Sequence, residues 1–259
     1  MLHLLKIEWL KLKNYKAFWI FLGLYLVGLF SINYTSYYFQ NDLQKSGFPI
    51  ELLPYNYPKV YQTISFISSW LLYFPGMLII LIISNEYSFK THRQNIIDGL
   101  TRREFILSKI MIAIILAILT TICCFIVAVA FGVTYSGRFS FEGIEYIGYC
   151  FVQALSYLFL AMILAVLLRR SGLALAIFFL YGLVFEQLIG GFVDKKILDN
   201  HNFWYYMPLQ ASDVLIPFTF GKNVIYKDAP SEMTLLIVCV VYISAWCFFS
   251  FRKFERDDL

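Results

Sequence analysis

The stretch "NEYSFKTHRQNIIDGLTRREF", Asn85 to Phe105, is the most charged part of an otherwise greasy chain, and its reading decides what lies on either side. It joins two apolar runs, Thr63–Ser84 and Ile110–Val133. Each is long enough for the roughly 20 residues that a helix needs to cross the hydrocarbon core. From Asn85 the pattern predicts a helix through Ile97, because Phe89, Arg93 and Ile96 fall on one stripe and Glu86 precedes Lys90 at the spacing of a helical ion pair. Asp98-Gly99 predicts an end, since glycine takes a left-handed capping conformation cheaply. Thr101-Arg102-Arg103-Glu104 has the form of a capping box, so a fresh helix is expected from Thr101. A loop that only set membrane topology would need neither a capped break nor Phe89, Ile96 and Ile97. The segment 85–104 therefore reads as a surface for a partner.

Outward from there, the 259 residues are 60% apolar and 15% charged, well below the roughly 25% charged content of soluble domains. The expected fold class is an all-α membrane protein, a single transmembrane domain over 1–259 with six spans. These are Ala17–Tyr38, Thr63–Ser84, Ile110–Val133, Ile144–Leu168, Leu173–Phe192 and Met233–Phe251. No soluble catalytic domain fits beside them. The first span follows Lys6, Lys11, Lys13 and Lys16 but is long and lacks a small-residue cleavage site, so it reads as a retained helix rather than a signal peptide. With the N-terminus inside, fourteen Lys and Arg fall on inner segments and seven on longer outer ones. That bias predicts both termini in the cytoplasm. It also accounts for the net charge of +4 without nucleic-acid binding.

Residues 1–16 read as an interfacial helix with Leu2, Leu5, Trp9 and Leu12 on one stripe. Between the first two spans, Phe39–Gln62 contains Pro49, Pro54 and Pro58, so little continuous helix is expected there. Arg169 to Gly172 reads as a tight inner turn. The five cysteines fall within spans without metal spacing, and the three histidines are divided between the two sides, so no metal site is expected.

Apart from Glu145 at the very start of its run, Glu186 is the one carboxylate placed within a span, which makes it a pathway candidate by default. It lies about two turns from the outer end of the span, where a helix-capping role is the competing reading. Gln187, Thr120, Thr121 and Gln153 are further pathway candidates, weighed against ordinary hydrogen bonding between helices.

The segment 193–232 reads as an outer gate. Within it, "NFWYYMPLQASDVLIPFTFGKNVIY" (Asn202–Tyr226) carries Phe203, Trp204, Tyr205, Tyr206, Phe218 and Phe220. Asp213 at its centre, together with Pro208 and Pro217, argues against a seventh crossing. A broken re-entrant hairpin packed on the outer ends of spans five and six is expected instead.

This order of elements, with "NEYSFKTHRQNIIDGLTRREFILSK" between spans two and three, resembles the ABC type-2 exporter permeases. "THRQNIIDGL" is similar to versions found in permeases of the Bacteroidetes group. Glu86, Gly99, Arg102 or Arg103, and Lys109 occupy the places of the family's acidic opening, break, arginine and span-three lysine. Where many relatives read "EYRxGT", this chain reads "EYSFKT".

The resemblance implies a coupling segment in which Glu86, Phe89, Lys90, Arg93, Ile96, Arg102 and Arg103 dock a separate ATPase subunit, present in two copies. ATP and Mg would be held by that partner, so the chain is expected to be a transporter subunit and not itself an enzyme. The chain holds no G-x-x-x-x-G-K-[ST] of its own. The resemblance further implies a homodimer or heterodimer with a second six-span permease, surrounded by lipid, in the bacterial cytoplasmic (inner) membrane. A secondary carrier driven by an ion gradient is the alternative.

Overall fold

The computed structural model describes residues 2–46, 53–97, 99–198, 202–219 and 229–256. The chain is 83% helical, with no strand among the described residues. Among the described residues the α-helices run in the order α1 (Leu2–Lys13), α2 (Lys16–Lys45), α3 (Val60–Leu71), α4 (Tyr73–Ser88), α5 (Thr91–Ile97), α6 (Arg102–Ser136), α7 (Glu145–Leu168), α8 (Ser171–Leu180), α9 (Glu186–Val193) and α10 (Gln210–Val214). The chain then closes with α11 (Glu232–Arg256).

Six helical stretches are long and apolar enough to cross a membrane: Lys16–Lys45, Val60–Ser88, Arg102–Ser136, Glu145–Leu168, Ser171–Lys196 and Glu232–Glu255. They contain or closely match the six expected runs but extend past most of their ends. In particular, α2 continues to Lys45, beyond the expected limit of Tyr38. Hydropathy marks the part of a helix that suits hydrocarbon, whereas backbone hydrogen bonding carries the helix further into polar surroundings.

Two spans have interruptions with local causes. Pro75 lacks an N–H and its ring crowds the carbonyl four residues earlier, so Val60–Ser88 breaks at Leu72 into α3 and α4. In Ser171–Lys196, wider π turns at Tyr181–Phe185 and Asp194–Leu198 flank α9, re-aiming the side chains that follow.

The core runs along α3–α4 and α7. Two thirds (67%) of the most apolar stretch is buried in each of these spans, against 17% in Ser171–Lys196 and Glu232–Glu255. Those outer helices therefore present most of their apolar surface outward. Gly76 permits a close approach of α8 to α4, because a Cβ there would collide with the Phe178 ring. Inside the core, the Tyr25 hydroxyl shares a 2.8 Å hydrogen bond with Ser68 and lies 3.1 Å from the Thr120 carbonyl.

At one end of the bundle, here the proximal end, α1, the α4–α5–α6 connection and the last turns of α11 meet. Phe105 stacks on Phe254 with ring centroids 4.6 Å apart. The other end is called distal.

Candidate functional site

The proximal site is built from the quoted stretch. Thr101 and Glu104 form the expected capping box: Thr101 Oγ1 accepts from the Glu104 N–H at 3.2 Å, and Glu104 Oε2 accepts from the Thr101 N–H at 2.8 Å. Those bonds hold the exposed Glu104 carboxyl below its usual range. Gly99 has φ +104°, as its place after a helix end demands.

One expectation fails here. The helix is not continuous from Asn85 to Ile97; α4 ends at Ser88 and α5 begins at Thr91. Between them Lys90 adopts φ +56°, the left-handed conformation that ends a helix, and its N–H bonds the Tyr87 carbonyl. Phe89 consequently leaves the α5 stripe.

The expected Glu86–Lys90 pair is replaced by another. Lys109, 1% exposed, places Nζ 2.7 Å from Glu86 Oε1 and 2.8 Å from both oxygens of Glu8. Lys11 Nζ lies 3.0 Å from Glu86 and 3.4 Å from Glu8. Two carboxylates and two ammonium groups thus cancel where α1, α4 and α6 meet. Burial by itself raises the pKa of Glu8, but the Lys109 and Lys11 charges outweigh it and hold the carboxyl below its ordinary value. Burial likewise pulls Lys11 down, yet Glu86 and Glu8 leave it raised.

Glu8 is the residue that the sequence pattern missed. The residues of α1 buried in the bundle are Leu4, Glu8 and Leu12; of the expected stripe, Leu12 is buried, Leu5 is half-buried, Trp9 is 51% exposed, and the side chain of Leu2 lies outside the described residues. A stripe drawn from apolar residues alone cannot include a carboxylate that docks by charge.

The other proximal candidates are separated by this geometry. Glu86 points into the charge knot. Ile96 is half-buried against the core, whereas Phe89 is 76% exposed and Ile97 84%. Arg103 Nε donates to Glu255 at 2.6 Å, and Arg102 Nη1 donates to the Glu255 carbonyl at 2.7 Å, tying the start of α6 to α11. Asp98 and the side chain of Arg93 lie outside the described residues.

The second site lies in the distal half. Residues 202–219 form a short 3-10 turn (Phe203–Tyr206), then α10, broken at Pro208 and Pro217. Leu209, Ala211, Ser212, Val214, Leu215 and Ile216 are all buried, so this is neither a spanning helix nor a solvated loop. It packs on α9 and α11, as expected, but also on α7. Gln62 reaches it from α3 by donating to the Pro217 carbonyl at 2.7 Å. Phe220 and the rest of 220–228 lie outside the described residues.

Glu186 and Asp213 set this segment in place. Glu186, 2% exposed, accepts from the Leu209 N–H at 2.7 Å and the Gln210 N–H at 3.1 Å. It therefore caps α10, which would otherwise bury unsatisfied donors. Asp213 accepts from Gln153 Nε2 at 2.7 Å, and the Tyr157 hydroxyl lies 3.2 Å from each of its oxygens. Tyr157 lies twelve residues into α7 from Glu145, or about 18 Å at 1.5 Å per residue, so Asp213 reaches the middle of the bundle. Gln187 joins the same network, donating to Gln210 at 3.1 Å and accepting from Trp204 Nε1 at 2.9 Å.

Thus Gln187 lines a cavity of about 370 Å3, while Gln153 and Glu186 stand behind its wall, bonded to the lining residues Asp213 and Gln210. Thr120 and Thr121 stand apart from it. Both bond the Ala117 carbonyl of their own helix, toward α2 and α3. Among the described residues no three His, Cys, Asp or Glu side chains converge as metal ligands.

By fold, then, this is an all-helical, multi-pass membrane protein with a charge-paired proximal end and a plugged distal half. Over residues 24–259 it matches the family described as "Protein of unknown function (DUF2705)", and the chain belongs to that family. Comparison with curated proteins returned no match.

Proposed function

We propose that the chain is the transmembrane permease subunit of an ATP-driven exporter of the ABC type-2 kind, moving substrate out of the cytoplasm or the inner membrane. One observation carries the reading. Helix α5, bounded by left-handed residues at Lys90 and Gly99, carries exposed Ile97 and follows exposed Phe89, next to a base of four paired charges. Exposed apolar side chains on a rigid base suit the transmission of a partner's motion better than a solvated turn does. Lys90 also takes its left-handed conformation where the "EYRxGT" motif carries glycine.

In this reading the proximal end is cytoplasmic, both termini included, and the membrane is the bacterial inner membrane. Helix α1 is interfacial, with Trp9 toward the headgroups, and 202–219 is an outer re-entrant gate. Two ATPase subunits carrying ATP and Mg dock on α5 and its flanks, and a second six-span permease, identical or related, completes the path.

Purification of the tagged chain from its native membrane tests this directly: an ATPase with a P-loop should copurify in the wild type and be depleted in Phe89→Asp and Ile97→Asp. Equal recovery from both variants, or no ATPase at all, overturns the docking surface. Reporter fusions after Glu232 and after Leu259 should read outside and inside, and the same side for both overturns the orientation.

A secondary carrier is the second reading, and the carboxylates Glu186 and Asp213 beside a broken helical segment favour it. Transport driven by a proton gradient in vesicles lacking ATP would decide for the carrier.

A further inference from the structure

The cavity around Asp213 has a composition that closing a gate does not require. Six of its lining residues are aromatic: Phe66, Trp70, Tyr73, Tyr157, Trp204 and Phe218. Among the described residues, Asp213 is the one lining residue with a formal charge, and no lysine or arginine lines the space. Its carboxylate is met only by neutral donors, Gln153 and Tyr157. The lining amides are paired with one another: Gln187 donates to Gln210 Oε1 and accepts from Trp204 Nε1.

Each feature narrows the occupant. A single uncompensated carboxylate repels anions and attracts cations. Paired amides leave a sugar or polyol little to bond. A bare metal ion wants about six oxygen ligands, and an aromatic wall does not replace its water. Aromatic faces beside one carboxylate do suit an organic ammonium with an apolar body, through charge pairing and cation–π attraction.

Access is lateral. Trp70 is exposed on α3, and Leu183 and Gln187 are exposed on the Ser171–Lys196 span. The cavity therefore opens on the flank of the bundle between these two spans.

We propose that this cavity binds amphipathic organic ammonium compounds entering from the bilayer side, with the ammonium on Asp213 and the apolar body against the aromatic wall. Gly182 is a positioning residue for that wall: a Cβ there would strike the Tyr73 hydroxyl and press on Leu209. The proposal does not rest on ATP coupling, because equilibrium binding tests it on the chain alone.

The experiment uses the full chain in lipid nanodiscs, with empty nanodiscs as the partition baseline. Tryptophan fluorescence is titrated with 2-phenylethylammonium, with its uncharged analogue 2-phenylethanol, and with Na+. The ammonium should bind saturably and about tenfold more tightly than the alcohol. Asp213→Asn, which keeps an acceptor oxygen for Gln153 and Tyr157, should abolish that preference while the protein stays monodisperse.

Phe218→Leu alters one ring and no hydrogen bond, and it should weaken the ammonium a few-fold; it carries the test if Asp213→Asn fails to fold. Equal affinity for ammonium and alcohol, unchanged binding in either variant, or displacement by Na+ at matching concentration overturns the proposal, the last placing a bare cation at Asp213.

Discussion

At the proximal end Glu8 and Glu86 lie buried against Lys109 and Lys11. In the distal half Glu186 and Asp213 lie against backbone N–H groups, an amide and a hydroxyl, with no cation on the cavity wall among the described residues. Both regions take carboxylates out of water, and both satisfy them with hydrogen bonds. The proximal region also cancels their charge. A cancelled cluster holds helices in fixed register, since removing any member strands an opposite charge. An uncancelled one leaves net negative charge for something else to answer. The first is built as a joint, the second as a site.

The comparison breaks most readily at Lys109. Lys109→Met should lower stability by about 3–5 kcal/mol, because it removes the buried ammonium that Glu8 and Glu86 share. Thermal unfolding in detergent would record the loss, with α1 becoming protease-sensitive. Adding Glu8→Gln should restore part of it, and full additivity of the two changes would argue against a joint.

Next comes Glu186, whose role is capping. Glu186→Leu leaves two buried N–H groups without an acceptor and should cost about 2 kcal/mol. Glu186→Gln, which keeps one acceptor oxygen, should cost about half of that.

Acidity sharpens the contrast further. The folded-state pKa of Glu8 lies below its reference of 4.5, so its contribution is present above that value and fades as pH falls through the folded pKa. Lys11 is raised above 10.5, so its contribution is full below that value and is lost only as pH rises beyond the folded pKa. The hydrogen-exchange protection of α1, corrected for the intrinsic pH dependence of amide exchange, should therefore be high between these limits and fall in acid. Protection unaffected by acid would dissociate Glu8 from the docking of α1.

Asp213→Asn should behave in the opposite way to Lys109→Met, changing stability by no more than about 1 kcal/mol, since it removes an unpaired charge but keeps the acceptor. The smallest effect belongs to Arg103→Ala. Its pair with Glu255 is solvent-exposed, so unfolding should be unchanged within error.

The two regions also differ in how far they could be read along the chain. The six spans, the capping box at Thr101, the left-handed Gly99 and the proline-broken segment after Asn202 were determined by the sequence, because each depends on residues a few positions apart or on summed apolarity. Even so, the turn at Phe89–Lys90 was invisible, as nothing about a lysine announces φ +56°.

The charge knot and the cavity were decided only by the tertiary structure. Lys109 meets Glu8 across 101 positions, and Gln153 meets Asp213 across 60. The periodicity of α1 pointed to an apolar face, yet the helix turned its carboxylate inward because Lys109 was waiting at the same depth. Local pattern fixes which backbone forms and roughly which face prefers hydrocarbon. Which charge a buried carboxylate meets, or whether it meets one at all, depends on the depth and rotation at which distant helices pack.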